Sequence, residues 1–165
     1  MQQHLASNMS HILLPLDLAA YALLSSYCLC GCLTEHFSVF RGWLAIHDCA
    51  QLKALQTASG HGVLFTYVVP KAILTAMNAY LVMRPPLSQT NREVVDGSLQ
   101  FSLAMLGISW ASSFLVQVPL QLRIRETGDR GLVARLCKTT WLRTITMCLS
   151  VCSTCWLVFN GSLRA

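Results

Sequence analysis

Arg143 lies two residues into the apolar stretch that begins at Trp141. A guanidinium at that depth needs acceptors from neighbouring helices, or must reach back to lipid phosphate. One source of acceptors is the junction "SWASSFLVQVPLQLRIRETGDRGLVARL", residues 109–136, where an uncharged run passes Gln117 and Pro119 and ends among arginines. Pro119 has no N–H to donate, so it leaves the Leu115 carbonyl one turn back without its helical partner. Gln117, that carbonyl, Trp141 and Arg143 form a candidate polar site, with His47 of the first loop at the same interface.

Two further ionisable residues fall inside apolar runs. Asp17 interrupts the first run, and Lys71 follows Pro70 near the middle of the second. Burying a cation in hydrocarbon costs several kcal/mol unless it is paired or hydrated. Straight helices would put the two roughly 10 Å apart in depth. The pattern reads as a functional polar cavity or, equally, as a structural ion pair or a snorkelling lysine.

Cysteine and histidine chemistry is narrower. Seven of the eight cysteines sit in apolar helices or at their ends, and none in the segments assigned outside, which excludes a secreted disulfide framework. Cys148, Cys152 and Cys155 share one helical face, a spacing of close packing before metal binding. The Cys152–Cys155 spacing is that of a redox motif, but no exposed loop pair is present to shuttle electrons. His36 and His47, beside Glu35 and Asp48, are the candidates for ligating a metal or haem or for acting as a base, with interfacial hydrogen bonding as the ordinary role. A haem held between two spans would need facing histidines, which the spans lack; no metal or cofactor is assigned. Neither a grouped Ser, Asp and His nor a phosphate-cradling glycine loop occurs.

These residues must be positioned by membrane helices. At 54% apolar and 12% charged, with mean hydropathy +0.51, the chain carries about half the charge usual in soluble domains. Four runs of membrane-crossing length occur, at residues 12–33, 62–83, 99–122 and 141–159. None alternates as barrel strands do, so the expected fold is all-α: one domain over residues 1–165, a four-helix transmembrane bundle with helical extensions on the cytoplasmic side. The start "MQQHLASNMSHILLPLDLAAY" has no basic n-region and reads as a retained helix.

Orientation follows from lysine and arginine. Arg41, Lys53, Arg123, Arg125, Arg130, Arg135, Lys138 and Arg143 lie on one side and Arg84, Arg92 and Arg164 on the other, eight against three. The richer side is expected to be cytoplasmic, with both termini opposite. The net charge of +5 is thus a topology signal, and no nucleic-acid partner is expected. In the first loop, Trp43, Ile46, His47, Ala50 and Ala54 recur at helical steps, predicting a helix with His47 on its apolar face and a break at Gly60 and Gly62. In the third loop, Gly128 suits a left-handed turn and Asp129 a cap, with the fourth helix starting near Arg130.

The orders "W-x-x-x-F-L-V-Q-V-P-L-x-x-x-I" and "L-V-A-R-L-C-K-T-T-W-L-R-T", with "GWLAIHD" and "YVVPKAIL" before them, resemble small bacterial four-helix membrane proteins related to the anthrone-oxygenase-like group. The resemblance covers residues 40–160 and is sharpest over 110–144; Gln121 and Thr140 depart from the pattern. It implies a shared fold and a bacterial inner membrane, and more weakly oxygenase chemistry, because fold does not set function. Two classes of function stay open. One is a non-enzymatic subunit or binding module, whose small-residue faces, Gly107 with Ala111 and Ser109 with Ser113, suit a membrane protein partner or a homo-oligomer in the lipid bilayer. The other is a membrane enzyme, oxygenase-like or redox, acting on a lipophilic aromatic or quinone-like small molecule at the cytoplasmic interface. The first is favoured.

Overall fold

The computed structural model describes residues 2–83 and 92–162. Over these the chain is helical, with α1 (Gln2–Thr34), α2 (Phe40–Ala45), α3 (Cys49–Val63), α4 (Val69–Met83), α5 (Arg92–Ser112), α6 (Val118–Thr127) and α7 (Arg130–Ser162). Three π-helical turns join some of these without breaking the rod: Glu35–Val39 between α1 and α2, Leu64–Val68 between α3 and α4, and Ser113–Gln117 between α5 and α6.

Among the described residues, four stretches are long and apolar enough to cross a membrane: Leu16–Ala45, Phe65–Met83, Val95–Thr127 and Arg130–Phe159. They include the expected cores of the spans, but the first, third and fourth run further at the basic end. There Phe40, Trp43, Leu52, Leu120, Ile124, Val133 and Leu136 form a second apolar core of their own. α7 packs against α1 and α5, and α4 closes the ring between α5 and α1.

Large apolar side chains cover much of the outside of the bundle, and polar ones much of its inside. Leu23, Phe65, Ile73, Phe101, Leu115, Leu149 and Trp156 face outwards, whereas Ser25, Ser109, Thr140, Thr144 and Thr154 are buried. Lipid tails provide no hydrophobic drive for helices to associate, so small and hydroxylated residues hold such bundles together through close packing and hydrogen bonds. One such node takes a residue from each span: the Tyr21 hydroxyl bonds Ser102 Oγ at 2.7 Å, Ser102 bonds Ser150, and Asn78 Nδ2 donates to Tyr21. The chain is an integral membrane protein in architecture, with lipid as the partner of its outer face.

The turns follow from individual residues. Gly128 takes φ 68°, closing α6 with its N–H on the Ile124 carbonyl at 2.8 Å. Asp129 then caps α7, accepting from the Gly131 N–H at 2.7 Å. Both agree with the expected turn. The first loop differs. Its helix ends at Ile46, whose ψ of 122° is extended, and Asp48 starts α3 by accepting from the Ala50 N–H at 2.9 Å. A side-chain cap here outweighs the apolar spacing, so His47 lies in the break rather than on a continuous helical face. Nor do Gly60 and Gly62 break the helix, since α3 runs through both. The disturbance falls at the next π turn, ahead of Pro70, because proline removes a donor whereas glycine only lowers helix propensity. Pro70 cannot donate to Thr66, and the Tyr27 hydroxyl donates to that carbonyl at 3.2 Å instead.

Candidate functional site

Each π turn delivers side chains to one level of the bundle. A π turn widens the helix by one residue, so neighbours that would diverge in an α-helix face the same interior. The first delivers Glu35, the second Tyr67 and the third Gln117, and Arg143 reaches them from α7. Glu35, Lys71, Gln117 and Arg143 are 8%, 1%, 2% and 3% exposed.

Arg143 spreads its fork between two partners. Nη1 donates to Gln117 Oε1 at 2.7 Å and Nη2 forms a buried salt bridge with the Glu35 carboxylate. Its guanidinium carbon lies 4.5 Å from the centre of the Tyr67 ring. The edge of that ring packs close to Gly31, where an added Cβ would lie 3.0 Å from a ring carbon. Tyr67's hydroxyl is hydrogen-bonded to Cys32. Thus Gly31 and Cys32 on α1 form the seat for Tyr67.

Lys71 lies deeper in the same cluster. Its ammonium sits 4.5 Å from the Trp110 ring centre and donates to Ser113 Oγ across 3.4 Å. Trp110 is itself held by its Nε1 on Thr75 Oγ1 at 2.9 Å and stacks on Phe114 with ring centres 5.3 Å apart. Between α4 and the third span, Lys71, Trp110, Ser113 and Phe114 help line a cavity of about 70 Å³. Glu35, Tyr67, Lys71, Gln117 and Arg143 supply its polar wall, and Val68, Phe114 and Val118 its apolar one. Gln117 Nε2 and Arg143 Nε are buried there without a hydrogen-bond partner.

Of the residues singled out in the sequence, Gln117 and Arg143 meet as expected, but through the amide side chain: the guanidinium goes to Gln117 and Glu35, not to the Leu115 carbonyl. Trp141 faces outwards and packs on the His36 ring at 4.4 Å between centres and on Phe37. His36 is buried with Nδ1 unpartnered. His47 is exposed, its Nδ1 3.1 Å from Arg130, which also donates to the Leu44 carbonyl at 2.7 Å. Lys71 shares a level with Cys28 and Cys32, which puts Asp17 eleven or more residues away along α1, roughly 16 Å of rise. Glu35, Tyr67, Trp110 and Ser113 were missed as members of this site. An acid immediately after an apolar run, at the depth where Arg143 enters the neighbouring helix, was the available signal for Glu35.

Among the described residues no three His, Cys, Asp or Glu side chains converge as a metal site would need. The eight cysteines are free thiols. Ser109 faces the interior and Ser113 the cavity, whereas Gly107 and Ala111 face outwards. Comparison with protein-family models, with curated proteins and with solved structures gives no match.

Proposed function

We propose that the protein is a non-enzymatic binding module or subunit of a membrane complex, built around the cavity between α4 and the third span. The observation that carries this reading is the surplus of buried donors: Gln117 Nε2 and Arg143 Nε have no partner, beside Lys71 and a single carboxylate. Buried polar groups are normally satisfied, so donors left open around a cavity are suited to an acceptor that arrives from elsewhere. Native mass spectrometry of the protein released from lipid nanodiscs tests this. A small molecule at one per chain, lost in Gln117→Leu, is the expected result. A bare chain, or a bound species indifferent to Gln117, removes the reason for placing a site there. A stoichiometric protein partner that stays bound would favour the subunit form.

A second reading is an enzyme, oxygenase-like or redox, acting on a lipophilic aromatic or quinone-like substrate, in keeping with the resemblance to anthrone-oxygenase-like proteins. The stacked Trp110 and Phe114 at the cavity favour it, since they offer a planar surface to a ring. Conversion of a co-purified compound by the isolated protein would select this reading over the first.

The basic end of the bundle is placed in the cytoplasm on the eight-to-three distribution of lysine and arginine. Arg84, Arg164 and the segment about Asn91 lie outside the described residues. Protease added to sealed inside-out vesicles should cut at the turn around Gly128; cleavage in right-side-out vesicles alone would reverse the orientation while leaving the bundle intact.

A further inference from the structure

The occupant's chemistry can be narrowed from charge, donors, size and access, and the narrowing rests on the binding-module reading above. Lys71 and Arg143 bring two positive charges to the cavity and Glu35 one negative, which leaves a formal surplus of one positive charge. Net charge in a low-dielectric interior is costly, so this cluster calls for one anion. Glu35 is already committed to Arg143, and the Lys71 ammonium, with three protons to donate, has its bond to Ser113 stretched to 3.4 Å. Gln117 Nε2 and Arg143 Nε add two donors with no acceptor.

Size limits what can enter. A cavity of about 70 Å³ holds a few waters or a small head group. Sites that enclose drug-sized ligands measure roughly 300–1,000 Å³. Only the polar end of a lipophile fits, and the remainder must stay in lipid. The mouth permits this, since Phe114 and Val118 on its edge are 60% and 40% exposed on the apolar outer face.

We infer that the cavity binds the carboxylate head of a single-chain lipophilic acid, with Lys71 as its counter-ion and the tail leaving past Phe114 and Val118 into the bilayer. A carboxylate offers acceptors to the open donors and brings the formal charge to zero; an alcohol or ester of the same chain offers acceptors but no charge.

Wild-type protein in phosphatidylcholine nanodiscs, titrated with oleic acid, oleyl alcohol and acetate and read by native mass spectrometry, tests the inference. Oleate should bind at one per chain and at least about tenfold more tightly than oleyl alcohol. Lys71→Met should abolish that preference, and acetate should compete only at about a thousandfold higher concentration than oleate. Equal affinity for acid and alcohol in the wild type overturns the inference even if Lys71→Met fails to assemble. Acetate competing at oleate's own concentration overturns the lipid source and assigns the site to a free anion. If oleate does not bind while another compound co-purifies and is lost in Gln117→Leu, the carboxylate inference falls and the pocket stands. If neither is seen, both fall.

Discussion

Arg143→Met should lower stability by about 3–5 kcal/mol, the range for breaking a buried ion pair from one side. The loss arises less from the attraction removed than from what remains: the Glu35 carboxylate buried without its cation, and Gln117 Oε1 without its donor. Arg143→Lys keeps the charge but not the fork that reaches Glu35 and Gln117 at once, and should cost a large part of the same amount. Because Glu35→Gln removes the stranded charge, the Glu35→Gln/Arg143→Met pair should cost less than the sum of its singles, and Gln117→Leu should be non-additive with Arg143→Met for the same reason. Arg135→Met, at an exposed position on the same helix, should stay within about 0.5 kcal/mol of the wild type. Unfolding in mixed micelles measures each variant. Strict additivity, or an Arg143 variant as tolerant as Arg135→Met, would reduce Arg143 to a head-group anchor.

Gly128→Ala should cost about 2–4 kcal/mol. Its φ of 68° is left-handed, which charges a residue with a Cβ roughly 1–2 kcal/mol. A Cβ there would also lie 2.8 Å from the Cys49 carbonyl oxygen and 3.0 Å from Cys49 Cβ. Backbone cannot swing aside as a flexible side chain can, so the turn between α6 and α7 would have to move off the start of α3. Gly42→Ala provides the opposite sign. It lies within α2, a Cβ there meets nothing within 4 Å, and it should gain about 0.5–1 kcal/mol from helix propensity. The same micelle unfolding assay separates them; a Gly128→Ala protein as stable as wild type would mean that the turn bears no strain against α3.

What the sequence determined by itself was whatever depends on neighbours along the chain. Apolar runs of bilayer length required helices, because backbone groups in lipid must be satisfied within the segment. Gly128 and Asp129 specified their turn through one backbone angle and one cap. Gln117 and Arg143 were legible as partners because each lies a few residues inside its own span at the same end, so depth alone brings them level. Asp48 is equally local: its carboxylate caps α3 and outweighs the apolar spacing around His47. Tertiary structure decided which faces meet at that level. Rotating a helix by one residue turns a side chain through about 100°, so depth cannot tell whether Trp141, two residues from Arg143, points to the site or to lipid. It points to His36. The three π turns each shift the register of their helix by one residue, and that shift lets Glu35, Tyr67 and Gln117 converge on Arg143. Proline near two of the turns was visible in the sequence, but the direction in which each helix re-emerged depended on the partner waiting across the bundle.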